Sequence, residues 1–268
     1  MLVKNIGIII KPFLNFVAWF LNLSKYNVYH LANGPLKESI AQANKFIYAY
    51  EHIHTSIRIA KSLNRSGNVI IDVGGGSATT TKIFSEKMPN HLIYVFEPIP
   101  QNYDIISKSK KDANANWKVI NKALGNQVGT TQMYIAQNIT SSSLMELRHE
   151  EFSGEYAILH EEKDKIDIEI STLDKEIPNN ALIDILKLDV QGFELEVLKG
   201  GEQTLLRTNV VIFEVNNHRG FLNAPSYFEL DEYMRSQKFE LYDLFPNHRE
   251  NEKLQDWDVI YVKKIVEK

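Results

Sequence analysis

The sequence predicts an α/β protein with a doubly wound, mostly parallel sheet, and three observations support this fold class. From residue 68 onward, short β-branched runs alternate with helical patterns, as they do in sheets built from strand–helix–strand units. The first run, residues 68–73, ends in three glycines, which is typical of a buried parallel strand. The chain has 268 residues, 44% of them hydrophobic, which is enough to bury a core without metals or disulfides.

Composition restricts the classes of function. Cysteine is absent, which excludes disulfides, thiolate metal sites, iron–sulfur clusters and a cysteine nucleophile. The chain carries 30 Lys and Arg against 34 Asp and Glu, a net charge of −4, whereas a dedicated nucleic-acid binder usually has a basic excess. We therefore expect no nucleic-acid partner. The absence of cysteine fits a reducing compartment, and the cytoplasm is the predicted location.

The N-terminal segment 2–23 is rich in apolar residues but is interrupted by Lys4 and Lys11. Its longest uncharged run, residues 12–24, has 13 residues, fewer than the roughly 20 that cross a bilayer. No small-x-small cleavage site follows, as a secretory signal peptide would require. We expect a helix docked on the body of the protein, and the alternatives left open are a peripheral membrane anchor and a targeting segment.

The other elements follow in chain order. Apolar residues spaced three or four apart from Leu36 to Leu63 predict a long helix, so residues 1–66 are expected to form an N-terminal helical extension and 67–268 the main domain. The stretch 125–171 is interpreted as an insertion near the site with a polar loop at 137–164, and a long polar loop is expected between the last two strands. The predicted strands are 68–73, 91–96, 117–121, 130–136, 166–170, 183–188, 210–215, 240–244 and 258–262, and the predicted helices are 79–87, 102–110, 193–206 and 226–237.

The strongest local signal for function is the segment from Asp72 to Thr79, D-V-G-G-G-S-A-T. Glycines let the backbone turn tightly and approach a ligand, and the N–H groups at the start of the next helix face the same crevice. Dinucleotides and S-adenosylmethionine both use this geometry. Thr79 stands where the dinucleotide fingerprint needs Gly or Ala, and the Asp72 carboxylate would repel a pyrophosphate but attract a sulfonium or an ammonium group. A structural turn without a ligand is the remaining alternative.

Glu97 ends the second predicted strand, 23 residues after Gly74. A carboxylate at this position can accept hydrogen bonds from both hydroxyls of a ribose. Because a dinucleotide and S-adenosylmethionine both contain that ribose, Glu97 favours a nucleoside ligand without choosing between the two. The alternative is a capping or surface glutamate.

Six motifs occur along the chain in a fixed order. They are D-V-G-G-G at 72–76, F-E-P-I-P-Q-N-Y at 96–103, A-L-G at 123–125, S-S-S-L at 141–144, L-K-L-D-V-Q-G-F-E at 186–194 and L-K-G-G at 198–201. Together they resemble the FkbM-family methyltransferases, over roughly residues 68–215 and not over the first 60. The resemblance implies the Rossmann-like class I methyltransferase fold, a seven-stranded sheet whose C-terminal strand is antiparallel, and the two tail strands suit such a hairpin.

The resemblance also implies which residues bind S-adenosylmethionine, the expected cofactor. Asp72 and the glycines would surround its methionine part, Glu97 would bind its ribose, and Asn121 and Ala123 would lie near its adenine. The full set of predicted cofactor-binding residues is Asp72, Gly74, Gly75, Gly76, Ser77, Glu97, Pro98, Asn121, Ala123 and Asp189. The family commonly has Glu where this chain has Gln191, so a metal-binding carboxylate pair at 189 and 191 is not expected.

Three residues are candidates for catalysis. Asp189 ends a buried strand where the methyl group and the acceptor are expected to meet, and it is the first candidate for orienting or deprotonating an acceptor hydroxyl. Glu214 ends the next strand, and His218 follows four residues later. Each has a plainer alternative: Asp189 binds only the cofactor, Glu214 forms a structural pair, and His218 is an ordinary loop residue.

We therefore expect an S-adenosylmethionine-dependent O-methyltransferase that methylates a hydroxyl of a sugar or other secondary metabolite, with a small-molecule or glycan acceptor as its partner. The alternatives are an NAD-dependent oxidoreductase or epimerase, and a non-catalytic relative that binds the cofactor and docks through its N-terminal segment. Asp256-Trp257-Asp258 mimics a metal motif of some glycosyltransferases, but its position in the tail, far from the glycine loop, argues against that function.

Overall fold

The computed structural model describes residues 50–63, 67–113, 115–148, 158, 161–216, 221–250 and 252–264. The chain divides into two compact units, Met1–Glu51 and His52–Lys268, and almost all described residues belong to the second. The predicted N-terminal segment 2–23 and the first part of the predicted long helix lie outside the described residues. The domain boundary at residue 66 and the three alternatives for residues 2–23 stay predictions.

The elements of the described part are named here in chain order. The helices are α1 (Glu51–Ser62), α2 (Thr79–Lys87), α3 (Pro100–Ala113), α4 (Leu173–Glu176), α5 (Glu194–Lys199), α6 (Glu202–Leu205) and α7 (Tyr227–Ser236), with a 3-10 turn at Ile139–Ser141. The strands are β1 (Val69–Val73), β2 (Leu92–Phe96), β3 (Trp117–Ile120), β4 (Ala123–Leu124), β5 (Gly129–Ala136), β6 (Glu162–Ser171), β7 (Ile183–Leu188), β8 (Thr208–Asn216), β9 (Phe239–Glu250) and β10 (Lys253–Lys263). No helix among these residues has the length and apolarity needed to cross a membrane.

The main sheet has seven strands in the order β3-β2-β1-β7-β8-β10-β9. Strand β1 pairs in parallel with β2 and β7, and β7 pairs in parallel with β8. Strand β10 is antiparallel to both β8 and β9. The predicted doubly wound, mostly parallel seven-stranded sheet with an antiparallel C-terminal strand is therefore confirmed.

Both faces of this sheet are covered, which is why its central strands read as nearly continuous apolar runs. All residues of β1 and β7 are buried. Alternate side chains of β1 enter opposite cores: Ile71 and Val73 pack in one cluster, and Ile70 packs in the other with Phe84 of α2 and Ile57 of α1. The two cores hold the carboxyl ends of β1, β2, β7 and β8 in one row at the same edge of the sheet.

A second sheet is formed by the stretch that was interpreted as an insertion. It has the strand order β4-β6-β5, with β5 antiparallel to β6. One face packs into a small apolar cluster that contains Met133, Ile168 and Ile170 together with Ile99 of the main domain. The predicted polar loop 137–164 was too long at its C-terminal end, because charged residues from Glu162 onward already pair with β5. Residues 162–165 are charged and all exposed, on both faces of the strand, so their composition resembles that of a loop.

Two other predicted elements were wrong. The helix expected at 193–206 is broken into α5 and α6 by Gly200 and Gly201. A Cβ atom at Gly200 would overlap the carbonyl oxygen of Gly125, which follows β4 of the second sheet, so only glycine fits at this break. The long polar loop expected between the tail strands does not exist, since β9 runs to Glu250 and β10 begins at Lys253. Strand β9 lies at the edge of the sheet, where polar side chains are tolerated.

Candidate active site at the carboxyl ends of the strands

The glycine loop after β1 has glycine for two separate reasons. Gly74 has a φ of 78°, and a Cβ atom there would overlap the carbonyl oxygen of Asp189 on the neighbouring strand end. At Gly75 a Cβ atom would lie 2.6 Å from Cγ1 of Val95. Gly76 has a φ of 50° and would meet no atom within 4 Å. The first two glycines are therefore required by packing, whereas Gly76 borders open space in which a ligand has room.

Helix α2 begins directly after this loop and has no side-chain cap. Ala78, the residue before its first turn, is in the left-handed conformation with a φ of 64°. The hydroxyls of Ser77 and Thr79 lie 2.9 Å apart, and Ser77 is exposed. The first N–H groups of an α-helix have no intrahelical acceptor, so an uncapped start of this kind suits a carboxylate or another anion.

Glu97 lies directly beside the open glycine, as predicted from its position after β2. Its carboxylate accepts hydrogen bonds from the backbone N–H of Gly76 at 2.8 Å and of Ile99 at 3.0 Å, one on each oxygen. Only 3% of the residue is exposed, and burial raises the pKa of Glu97 although both N–H groups oppose that shift. The Asn102 side chain also donates to this carboxylate, and the remaining lone-pair capacity can accept a ribose hydroxyl.

Asn121 and Ala123 lie behind the Glu97 turn. The Asn121 side chain donates to the carbonyl oxygens of Glu97, at 2.8 Å, and of Pro98, at 3.0 Å, and so fixes the turn that carries the carboxylate. Ala123 is buried on β4 in the cluster with Ile99. Their predicted closeness to an adenine stays a prediction, but the structure gives Asn121 a second task that the sequence did not indicate.

A buried lysine that the sequence analysis missed joins the two strand ends at the centre of the site. Lys187 Nζ donates to the carbonyl oxygen of Gly74 at 2.9 Å, and it lies 3.0 Å from Asp72 Oδ1 and 3.5 Å from Asp189 Oδ2. Burial works to lower the pKa of Lys187, but the charges of Asp72 and Asp189 outweigh it and the pKa is raised. A lysine inside the buried strand I-D-I-L-K-L was the signal that could have revealed it.

The position of Lys187 changes the interpretation of Asp72, which was expected to attract a positively charged cofactor group. The Asp72 side chain is fully buried, and its other oxygen accepts a hydrogen bond from the Thr81 hydroxyl at 2.6 Å. The negative charge of Asp72 is therefore compensated by Lys187, and the carboxylate does not face the open crevice. Asp72 stabilises the glycine loop through Lys187, which donates to the carbonyl oxygen of Gly74. The predicted direct contact of Asp72 with a cofactor stays a prediction.

The loop after β7 is fixed from several sides. Asp189 has 46% of its side chain exposed, and its Oδ1 accepts a hydrogen bond from Gln191 Nε2 at 2.9 Å. Glu194 is buried and accepts from the backbone N–H of Val190 at 3.2 Å and of Gly192 at 3.3 Å. Burial raises the pKa of Glu194 to about 7, against the effect of those two donors. Asp189 is thus an exposed carboxylate on a tightly held loop.

Glu214 lies next to Asp189 at the end of β8. Its Oε2 accepts hydrogen bonds from Gln191 Nε2 and from Asn216 Nδ2, both at 3.2 Å. Burial, followed by the charges of Asp189 and Asp258, raises the pKa of Glu214 well above its usual range. A carboxyl group of this kind holds its proton where an ordinary glutamate has lost it.

The tail motif lies closer to the site than its place in the sequence suggested. Asp258 on β10 is the register partner of Glu214 on β8. Its Oδ2 accepts from Asn247 Nδ2 at 2.9 Å and lies 3.1 Å from Nδ1 of His52, and burial raises the pKa of Asp258 to about 7. The motif is three strands away from the glycine loop of β1, as expected, but Asp258 adjoins the candidate residue Glu214. Among the described residues, no group of three or more His, Asp or Glu side chains is arranged to hold a metal ion.

The structure thus brings most predicted site residues to one edge of the sheet. The glycine loop, Glu97 and Asp189 follow β1, β2 and β7, and Glu214 lies near the end of β8; these four strands are adjacent in the order β2-β1-β7-β8. His218 lies outside the described residues. The roles assigned to all of these residues stay predictions.

Known proteins resemble this chain over most of the region described above. The methyltransferase sdnD of Sordaria araneosa is 29% identical over 171 residues, which cover 55% of this chain and 66% of that protein. Methyltransferase 1 of Beauveria bassiana (strain ARSEF 2860) is 24% identical over 196 residues, which cover 67% of this chain and 79% of that protein. The chain therefore matches about two thirds of the length of the first relative and somewhat more of the second.

Among solved structures, magnesium protoporphyrin IX methyltransferase (ChlM) from Synechocystis PCC 6803, with bound SAM, is similar with a TM-score of 0.47 and 8% sequence identity, over 93% of this chain and 96% of that chain. Residues 67–241 match the family described as the methyltransferase FkbM domain. S-adenosylmethionine, the cofactor that the resemblance implied, agrees with this assignment. The motifs, the sheet order and this match agree, and the chain belongs to the FkbM family of methyltransferases.

Proposed function

We propose that this protein transfers the methyl group of S-adenosylmethionine to a hydroxyl group of a small molecule or glycan. One observation carries the proposal: the backbone N–H of Gly76, which borders open space, donates to the Glu97 carboxylate at 2.8 Å. The exposed carboxylate of Asp189 follows β7, the strand next to β1, which leads into Gly76. Gly76 and Glu97 together suit a nucleoside, and Asp189 is positioned to orient an acceptor. The proposal assigns these two tasks to neighbouring strand ends.

The residues present fit the cofactor. Glu97 has lone-pair capacity left for a ribose hydroxyl, Gly76 leaves room for close approach, and the uncapped start of α2 suits a carboxylate. Asp189 suits an ammonium or a sulfonium group better than Asp72 does, because its carboxylate is 46% exposed whereas that of Asp72 is fully buried, although both lie near Lys187. When bound, S-adenosylmethionine supplies a methyl group already activated by its sulfonium.

The protein's own task is then to align the acceptor and to remove its proton. We assign the orienting and proton-accepting role to Asp189, since its carboxylate is exposed and held by Gln191 and Lys187. Glu214, whose pKa is raised by burial, is suited to holding a proton beside it. His218 remains a third candidate. A hydroxyl acceptor, a cytoplasmic location and the absence of a nucleic-acid partner all belong to the proposal.

The test is isothermal titration of the full chain with S-adenosylmethionine, followed by competition with S-adenosylhomocysteine. We expect binding by the wild type and a ten- to hundredfold loss of affinity in Glu97→Gln, because hydrogen bonds to a charged group contribute roughly 1.5–3 kcal/mol. Glu240→Gln, at an exposed position on β9, is the matched control and should bind normally. No heat from either ligand would end the proposal, and binding of NADH instead would favour the oxidoreductase alternative.

A second experiment separates an enzyme from a non-catalytic relative. Small molecules that copurify with the protein are identified by mass spectrometry and offered back together with S-adenosylmethionine. We expect formation of S-adenosylhomocysteine and a product heavier by one methylene, with the new methyl on oxygen. Cofactor binding without turnover on any copurifying hydroxyl compound would favour the non-catalytic alternative.

A further inference from the structure

Gln191 stands between two carboxyl groups in an unusual backbone conformation. Its φ of 53° lies in the left-handed region, which residues other than glycine rarely adopt. Its side-chain amide lies 2.9 Å from Asp189 Oδ1 and 3.2 Å from Glu214 Oε2. Strained residues of this kind persist where the surroundings hold them in place, and they cluster at functional sites.

The backbone of Gln191 is held by contacts that do not involve its side chain. The Ser143 hydroxyl donates to its carbonyl oxygen at 2.6 Å, and Ser143 is itself paired to Tyr134 of β5. The next residue, Gly192, has a φ of 94°. A Cβ atom added there would lie only 3.2 Å from the side chain of Phe221. Glu194 accepts the N–H of Gly192. Changing the side chain at 191 should therefore leave the loop in place.

The chemistry of an amide explains what the side chain contributes. A terminal NH₂ group has two hydrogens and can donate to two acceptors at once, whereas a carboxylate can donate to none. Two carboxyl groups with no donor between them repel each other when both are ionised. One amide that bonds to both keeps Asp189 and Glu214 adjacent without that cost.

We propose that Gln191 is a positioning residue that joins Asp189 and Glu214 into one carboxyl pair and turns the Asp189 side of the pair toward the methyl donor. This inference rests on the proposed function, because the pair needs a methyl donor to face. Gln191 itself touches neither donor nor acceptor in this scheme and acts through the two groups it holds.

Other charged groups surround the pair and must be considered in any titration. Glu214 faces acidic groups from three elements, and the basic groups nearby contact those acidic groups. The acidic groups are Asp189 after β7, Glu194 on α5, and Asp256 and Asp258 on β10. The cation beside Asp189 is Lys187, and the histidine beside Asp258 is His52, whose pKa burial lowers to about 4.

The test follows the titration of Glu214 by NMR in the full chain, with ¹³C at the side-chain carboxyl of glutamate and the signal assigned by its loss in Glu214→Gln. Gln191→Glu replaces the donor with a third carboxylate, so the titration midpoint of Glu214 should rise by about one pH unit or more. Gln191→Met keeps the length but removes the donor, and the midpoint should rise by less. Gln132→Glu is the matched control, because Gln132 also contacts a carboxylate, that of Asp167 at 3.4 Å, on the exposed face of the second sheet.

The same titration is repeated with S-adenosylmethionine and with S-adenosylhomocysteine, which differ by one positive charge at sulfur. We expect a lower Glu214 midpoint with the charged ligand in the wild type, and at most half of that difference in Gln191→Met. Equal midpoints in Gln191→Glu and Gln132→Glu, or an undiminished ligand difference in Gln191→Met, would overturn the inference. If neither ligand binds the wild type, the proposed function itself fails, which calorimetry detects separately.

Discussion

At the scale of single residues, the buried pair of Lys187 and Asp72 controls how the glycine loop is held. The lysine bonds to the carbonyl oxygen of Gly74 and the carboxylate bonds to Thr81 at the start of α2, so one ion pair fixes both ends of the turn. Buried pairs of this kind contribute little net stability compared with apolar residues, yet removing one partner is costly. The pair therefore matters most for the shape of the loop.

Lys187→Met should destabilise the fold by about 3–5 kcal/mol, because it leaves Asp72 buried without its cation. Asp72→Asn combined with Lys187→Met should recover part of that loss, since the uncompensated charge is then absent. Urea unfolding of the two single variants and the double variant measures the coupling. Lys199→Met is the control: it removes an exposed pair with Glu196, and its cost should stay below about 1 kcal/mol. Strictly additive losses at 72 and 187 would contradict this account.

Glu194 gives the protein a pH-dependent stability. Burial raises its pKa from 4.5 to about 7, so between those values the folded chain holds a proton that the unfolded chain releases. The stabilisation from this group is complete below pH 4.5 and is lost as the pH rises through about 7. The difference between the two pKa values corresponds to roughly 3 kcal/mol.

Glu194→Gln should therefore lose less stability than the wild type between pH 5 and pH 8, because the amide never ionises. Urea unfolding at each pH provides the measurement, and Glu202→Gln, at an exposed position on α6, is the control that should retain the wild-type slope. Parallel pH curves for the wild type and Glu194→Gln would show that Glu194 ionises without penalty.

The site could be predicted from single residues only where sequence position alone determines geometry. Glu97 and Asp189 directly follow the buried strands β2 and β7, which lie on either side of β1 in the sheet, so the strand ends alone placed both residues near the glycine loop. Lys187 was missed because its partners come from another strand, and the spacing of residues along β7 does not indicate them. The role of Gln191 was equally hidden, since it depends on Glu214 being next to Asp189 in space.

At the scale of elements, the buried strands were predicted best and the broken or edge elements worst. Residues 183–188 were assigned correctly because both faces of β7 are covered and four of its six residues are aliphatic. The break between α5 and α6 depends on the close approach of Gly200 to Gly125, a contact between distant parts of the chain. The length of β9 depends on pairing with β10, which lets polar residues belong to a strand.

In the turn between β1 and α2, two similar substitutions should separate an effect on stability from an effect on ligand affinity. Gly74→Ala should destabilise the protein by roughly 3 kcal/mol or more, because its methyl group would overlap the Asp189 carbonyl oxygen. Gly76→Ala should cost only about 1–2 kcal/mol for its positive φ, since open space surrounds the new methyl group. Under the proposed function, that methyl group occupies the space of the cofactor.

We therefore expect Gly76→Ala to fold and to bind S-adenosylmethionine at least tenfold more weakly, as measured by calorimetry alongside thermal unfolding. Gly74→Ala should fail mainly in stability. Wild-type affinity in a folded Gly76→Ala protein would place the cofactor away from this glycine.

At the scale of the whole molecule, the candidate site depends on segments far apart in the sequence. Residues near 76, 97, 121 and 189 come together only because β3, β2, β1 and β7 are adjacent in that order, and β8 adds Glu214 beside them. The unfolded chain has no comparable arrangement. A ligand that contacts several of these strand ends therefore binds the folded state alone, and its binding energy adds directly to global stability.

Saturating ligand should consequently raise the thermal unfolding temperature of the full chain. At a ligand concentration one hundred times the Kd the stabilisation is about 2.7 kcal/mol, which for a domain of this size corresponds to an increase in Tm of roughly 5–10 °C. S-adenosylmethionine and S-adenosylhomocysteine should both produce this increase in the wild type. In Glu97→Gln, whose binding is ten- to hundredfold weaker, the same concentration should give only about 0.4–1.4 kcal/mol, and the increase in Tm should be about half or less. NADH is the control for the oxidoreductase alternative and should leave Tm unchanged. A stabilisation by NADH alone would mean that the glycine turn and Glu97 hold a dinucleotide, despite the Asp72 and Asp189 carboxylates beside it.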